Sequence, residues 1–545
     1  MEAWDVIIIG SGHSALRSAI AANQAGASTV VLSYEGAGSA NNGDSCGIAS
    51  SLSETSSRGH RDDTIRSGDF LCDQDIVSAR TGRATHHLAE LERWGVNFRR
   101  NAEGIPLTTK LPGHNKPRVS GCGDTTDAEI QQALEEQCIK RGISRRGDIL
   151  ALSLVAENNR VCGLTVLDLG NGQLSAMQCK SLIIADSGFE GSWTAEGSGG
   201  WGMSLALSAG IQLRDLEFQS WTPFGIPDSE VSLPLGLLEE GAILQGPVTD
   251  IDAESTSPSQ LATSMQAAGS GWSLDLSGVR SEAKIWFAST FANTEKRLGL
   301  KAEEEPIPVE PRVNATLGGI PVDVDGRAMC GDWQNVFAGL YAAGDSACSG
   351  LHGAAGAAGN RLLDTIAGGA AAGTHAANYA EVSDYFGSEN LVEKVDADEG
   401  RLNELLQSDD VDGHPRVGEI RSALARTMAA NMSLNRTATS LEAAAADLEG
   451  LSQQASTLHL DQKSGLLMNQ NLAENLQMQA MIGLAKASVA AALERQESRG
   501  THLREDYSER DDEDFLKHSL VAFDGSVGWL PLRKSNQGSW LLSPE

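Results

Sequence analysis

The sequence predicts an α/β protein: a Rossmann-like dinucleotide-binding domain, interrupted by an inserted segment and followed by a helical C-terminal domain. Three observations predict it. Asp5-Val-Ile-Ile-Ile9 reads as a buried strand that runs at once into Gly10-Ser-Gly12-His-Ser-Ala15 and a helical pattern to Ala25, with Thr29-Val-Val-Leu32 as the next strand. A second glycine- and alanine-rich segment, 336–373, places Asp345 directly after an apolar run. Residues 415–500 form a long Ala/Leu/Gln-rich stretch with helical spacing, as expected of several antiparallel helices.

The remaining elements follow in order. The spacing predicts amphipathic helices at 74–95 and 127–141 and a small meander of strands at 151–156, 160–169 and 173–185. From Gly246 to Leu274 the chain is rich in Ser, Ala and Gly with little periodicity, and it is a candidate for a mobile or shortened cap. No internal repeat is present. With 545 residues and 41% hydrophobic content, a multidomain globular enzyme is the default.

Composition excludes several classes. A net charge of −31 repels nucleic acid and anionic lipid, whether it reflects a salt-rich habitat or an ordinary solvated acidic surface. No apolar run is expected to reach the ~18 residues of a membrane span, and the N-terminus lacks a basic leader. The chain is therefore expected in the cytoplasm without direct membrane insertion. The eight cysteines (46, 72, 122, 138, 162, 179, 330 and 348) include no C-x-x-C pair, so no metal or iron–sulfur site is expected within the chain.

The chemistry of the first turn is specific. Gly10 lets the chain leave the strand sharply, Gly12 lets the backbone approach a pyrophosphate, and the small Ala15 lets helix and strand pack closely, so that the helix N-terminus faces the phosphates. A purely structural strand-to-helix turn would use the same residues. For the second segment the competing reading is a Gly/Ala-rich helix-packing seam, which would not require Asp345 after a strand.

The charged tail Glu497-Ser-Arg-Gly-Thr-His-Leu-Arg-Glu-Asp-Tyr-Ser-Glu-Arg-Asp-Asp-Glu-Asp-Phe-Leu-Lys-His518 resembles the C-terminal signature of succinate dehydrogenase and fumarate reductase flavoprotein subunits. Ala343-Gly-Asp345, His352-Gly-Ala354, Gly359-Asn-Arg-Leu-Leu-Asp364, Asp69-Phe-Leu-Cys-Asp-Gln-Asp75, Leu238-Glu-Glu-Gly241 and Leu317-Gly-Gly-Ile-Pro321 are similar to landmarks of the same family, so the resemblance covers nearly the whole chain. It implies an FAD-binding domain at 1–245 and 315–375, a reduced capping domain at 246–314 and a helical domain at 376–545. It implies FAD contacts at Gly10, Gly12, Ser14, Ala15, Ser33, Ser39, Gly47, Gly344, Asp345, Asn360 and Leu362. Where many members carry a histidine bonded covalently to FAD, this chain has Ala40, so FAD is expected to be held non-covalently.

The family's reaction moves a hydride between flavin and a dicarboxylate, with an arginine handling the proton and two histidines and a second arginine clamping the carboxylates. Aligned by the landmarks, those four positions hold Ile243, Thr222, Asn314 and Gly356. The candidate catalytic set is accordingly Glu240, His352, Arg361, Thr222 and Asn314. His352 also reads as a satisfied loop histidine, and Arg361 as an arginine paired with Asp345 or a phosphate oxygen. No substitute for the proton-handling arginine is visible in the sequence. The resemblance implies a complex-type flavoprotein subunit acting on a carboxylate and passing electrons to a separate iron–sulfur subunit, held peripherally at the inner face of the membrane by partner subunits. The rivals are an FAD-binding paralogue with a different substrate and a silent assembly subunit.

Overall fold

A computed structural model describes all residues except 35–46, 52–53, 195–196, 230, 249–250, 252–256 and 408–413. Strand β1 (Glu2–Ile9), helix α1 (His13–Gln24) and strand β2 (Thr29–Leu32) form the expected β-α-β unit, with β1 and β2 parallel and Ile9 opposite Leu32. They are central to an eight-stranded sheet. The long strand Gln173–Ile184 explains how a meander joins a parallel sheet. Its first half pairs antiparallel with Arg160–Asp168, and its second half runs parallel to both β1 and Val336–Ala342. Val6, Ile7 and Ile8 are fully buried, the apolar run expected of a strand covered on both faces.

Helices α2 (Glu54–Ser67), α3 (Gln74–Trp94), α4 (Thr126–Lys140) and α5 (Trp201–Ser208) complete the first part of the chain. In the inserted part, α6 (Pro258–Ala268), α7 (Ser281–Trp286) and α8 (Ala288–Leu298) accompany a four-stranded antiparallel sheet ordered Gln219–Gly225, Ile307–Thr316, Trp272–Asp275, Ile243–Gln245. Its own apolar cluster runs from Phe224 to Val309. The cap sheet thus draws two strands, Gln219–Gly225 and Ile243–Gln245, from before the 246–314 expected of the cap. The stretch 257–275 is also more ordered than expected. Ser257 and Gln260 form a reciprocal capping box with Pro258 in the first turn, and Trp272 and Leu274 alternate inward along the following strand. The Ser/Ala-rich composition hid a helix anchored by Leu261 and Met265.

Helix α9 (Asn360–Val382) crosses α1 closely: a Cβ on Gly373 would lie 2.1 Å from Ser18 O and one on Gly369 2.8 Å from Ser14 O. Both readings of the second glycine segment therefore hold, since it supplies a packing seam and still carries Asp345 after the strand Val336–Ala342. The helical domain comprises α10 (Ser388–Gln407), α11 (Val417–Asn431), α12 (Ala438–Ala455) and α13 (Gln470–Glu494). Among the described residues α13 is, by length and composition, apolar enough to cross a membrane, contrary to expectation. Here Leu472, Met478, Ile482 and Leu484 are buried in the fold.

The tail is not a solvated charge run. Arg495, Glu497, Arg499, His502, Arg504 and His518 are buried, and each charge has a partner. Arg495 Nε lies 2.7 Å from Glu217 Oε1, Arg499 Nε 2.8 Å from Glu497 Oε1, and His518 Nδ1 2.6 Å from Asp215 Oδ2. The strand Lys517–Val521 pairs with Leu213–Arg214, so this part of 376–545 packs into the first domain rather than extending the helical one.

Three buried histidines make the fold acid-sensitive. Burial is the main reason that His60, His87 and His114 are held down at about 3, 3 and 4. An unfolded histidine titrates near ~6.5. Between those values the unfolded chain binds more protons, so stability falls as pH falls, by about 1.4 kcal/mol per pH unit for each proton. Buried His352 and His502 are lowered too and act in the same sense, whereas His518, raised by Asp215 and Asp73 against its burial, and Glu190, pushed up to about 7, act in the opposite sense as two groups against five. Urea melts should shift to lower midpoints from pH 7 to pH 5, and His114→Gln should flatten that slope; equal midpoints at the two pH values would contradict this account.

Candidate functional site

A cavity of about 380 Å³ opens where the glycine turn, the second glycine segment, the cap and the helical domain meet. Gly10 has φ +126°, and a Cβ there would fall 2.2 Å from Ala185 O, so only glycine permits the strand-to-strand approach. At Gly12 a Cβ would meet no protein atom within 4 Å and would project into the cavity. The N-terminus of α1 follows, with its unpaired backbone N–H groups at the cavity wall.

The expected residues divide clearly. Gly10, Gly12, Ser14, Ser33, Gly47, Gly344, Asp345 and Leu362 line the cavity, as do Thr222, Asn314, His352 and Arg361. Ala15 is buried behind the turn. Asn360 is buried too and does not line the cavity: its Oδ1 lies 2.8 Å from His60 Nε2, and its Nδ2 donates to Thr64 Oγ1 at 2.9 Å. Ser39 and Ala40 lie outside the described residues.

Electrostatics separate the two open readings of Arg361. Its Nε donates to Asp345 Oδ1 at 2.9 Å and its Nη2 contacts Oδ2, so it pairs with Asp345. Burial raises the Asp345 pKa, but the Arg361 guanidinium outweighs it and holds the carboxyl below the usual range. Burial lowers His352 against the pull of Asp364 and Asp345, leaving a neutral imidazole with Nε2 3.6 Å from Asp364 Oδ2. Asn314 Oδ1 is buried without a partner among the described residues, an acceptor open to a ligand. Glu190, which the sequence reading missed, is a buried carboxyl behind the wall formed by Ser198. Burial and nearby Asp345 push it up to about 7.

The proton-handling position requires a correction. Ile243 is 58% exposed on the edge strand of the cap, yet Glu240 does not lack arginines. Its Oε1 accepts from Arg99 Nη1 at 2.7 Å, and its Oε2 contacts Arg280 Nη2. Glu240 lines a smaller cavity with Pro234 and Gly236, whose intervening Leu235 lines the large one. No local pattern marks Arg280; it reaches Glu240 because Asp275 pairs with Ile243 in the cap sheet. Arg421, Glu474 and Gln477 of the helical domain also line the large cavity and were likewise missed.

Residues 5–362 match the FAD binding domain family, and residues 421–535 match the fumarate reductase flavoprotein C-terminal family. The chain belongs to the succinate dehydrogenase/fumarate reductase flavoprotein family. It is similar to the fumarate reductase flavoprotein subunit of Mycobacterium tuberculosis, with 28% identity over 97% of each chain. It is also similar to the L-aspartate oxidase of Streptomyces coelicolor, with 30% identity over 95% of this chain and 91% of the relative. Its fold matches E. coli quinol fumarate reductase FrdA at a TM-score of 0.90 and 24% identity, covering 100% and 99% of the two chains.

The flavoprotein is an FAD-dependent oxidoreductase, and its residues fit that cofactor. Gly12 leaves room for a pyrophosphate at the start of α1, and Gly344, at φ +70°, brings the backbone against Ser14 so that Asp345 reaches the cavity. Among the described residues no group of His, Cys, Asp and Glu is arranged to hold a metal ion. Gly12→Val should give a folded but colourless protein, because a branched side chain would occupy the pyrophosphate position. Absorbance at flavin wavelengths after purification is the measurement, and a fully loaded variant would reduce the turn to a structural one.

Proposed function

We propose that this flavoprotein is the subunit of a succinate dehydrogenase/fumarate reductase-type complex that exchanges a hydride with a dicarboxylate and passes electrons to a separate iron–sulfur subunit. Through that partner it sits peripherally at the inner face of the membrane. The observation that carries the reading is Glu240 held between Arg99 and Arg280 on the cap, beside the cavity that fits FAD. FAD, when bound, supplies the hydride chemistry. The chain must supply the proton and the orientation of the substrate.

Arg280 provides the cation that Ile243 lacks. Glu240 fixes its guanidinium, and Arg99 holds the other oxygen of the same carboxylate. Substrate carboxylates meet a weaker clamp. Thr222, Asn314 and the neutral His352 offer hydrogen bonds, and Arg361 is already neutralised by Asp345. A raised KM is the expected signature. The absence of cations at Thr222, Asn314 and Gly356 also favours a second reading, a paralogue turning over a different substrate.

Succinate should bleach the bound flavin, or fumarate should reoxidise the reduced flavin; a flavin unresponsive to both would favour the second reading. Arg280→Leu should cut that turnover by roughly 10²–10⁴-fold while FAD stays bound, and Ile243→Arg should change it little. An undiminished Arg280→Leu rate would exclude Arg280 from proton handling. Because Ala40 replaces the attachment histidine, acid precipitation should release the yellow colour into the supernatant. Colour kept in the pellet would mean a covalent link elsewhere.

A further inference from the structure

The cofactor cavity does not end within the first domain. Arg421 on α11 and Glu474 and Gln477 on α13 line it together with Tyr34, Ala151 and Trp201. None of the three makes a side-chain hydrogen bond or ion pair among the described residues, and Arg421 and Glu474 do not pair with each other although they share one cavity. Opposite charges held apart on the wall of a cavity call for a ligand that satisfies both, since partly desolvated charges are otherwise costly.

Their place identifies which part of the ligand they meet. Leu472 and Leu476 of α13 pack in one cluster with Leu150, with Tyr34 and Trp201 against it, and Glu474 lines the same cavity as Ser33 and Tyr34, which follow β2. In a β-α-β dinucleotide site a carboxylate at the end of the second strand accepts hydrogen bonds from the ribose hydroxyls. Here the cavity is lined at that point by Ser33 and Tyr34. The pyrophosphate turn, Gly10 to Ser14, lies on another wall of the same cavity.

We infer that Arg421, Glu474 and Gln477 form an adenosine-side clamp contributed by the helical domain, with Glu474 accepting from the ribose diol and Arg421 and Gln477 donating to the adenylate. The inference rests on the FAD assignment. It makes the helical domain part of the cofactor site, so that cofactor loading and docking of that domain onto the sheet are coupled.

The test uses full-length apoprotein titrated with FAD and with FMN, which lacks the adenylate, read by flavin fluorescence. Arg421→Ala and Glu474→Gln should each raise the FAD Kd about tenfold to 100-fold, the usual range for losing a hydrogen bond to a charged group. The FMN Kd should not change, which also shows that the variants are folded. An unchanged FAD Kd would overturn the clamp, and so would equal weakening of FAD and FMN. Glu35→Gln is the control for the nearest carboxylate along the chain: loss of FAD affinity there, with none in Glu474→Gln, would assign the ribose contact to Glu35 instead. Failure of the wild-type protein to bind FAD would strike the cofactor reading beneath, leaving a distinct result.

Discussion

The constraint on which the rest of the structure depends is that buried charges must be paired. Arg214, Arg436, Arg495, Arg499 and Arg504 are all essentially inaccessible; all but Arg504, which pairs with nearby Asp506, reach distant parts of the chain, and Arg436 is satisfied there by Gln219 and the Glu217 carbonyl. Arg214 Nη1 donates to Asp73 Oδ2 at 2.8 Å, while Asp73 also meets His518 Nε2 at 3.2 Å and Asp215 meets His518 Nδ1. Burial raises Asp73, but His518 and Arg214 pull it down to about 2, so it stays ionised. Removing one member of such a pair costs about 3–5 kcal/mol. The tail can therefore dock in only one register.

That register has a consequence for the site. Gly500 N donates to Asp69 Oδ2 at 2.9 Å and Thr501 N to Ala354 O at 3.0 Å, so the tail braces the loop that holds His352 and Gly356. Arg436 reaches Glu217 O at 2.7 Å, just ahead of the strand that carries Thr222. The ion-pair hub thus positions the cap strand, the second cofactor segment and the helical domain against one another. The cavity lies at their junction because each supplies one wall.

Thr222, Asn314 and Gly356 line the cavity without a cation among them, whereas Arg361 and Arg421 line it and Arg280 lies on the cap outside it. Arg361 is spent on Asp345, so its charge is not free for a substrate. Arg280 and Arg99 converge on Glu240 from opposite sides, from the cap and from the segment after α3. An arginine pair on Glu240 is thus present although the expected sequence position is isoleucine.

By itself the sequence determined the β-α-β unit, the glycine turn, the second segment with Asp345, most helices and the family, because these depend on local periodicity and on backbone geometry that only glycine allows. Asn360, expected at the cofactor, turns its side chain instead to His60, a partner 300 positions away in the chain. The pairing of Arg361 with Asp345 was one of two open readings that only side-chain geometry could separate. Arg280, Arg421 and Glu474 carry no local signature. Strand pairing in the cap brings Arg280 to Glu240, and packing of α11 and α13 brings Arg421 and Glu474 to the cavity wall, because a charge's surroundings are set by what lies within a few ångströms in space, not by its neighbours in sequence.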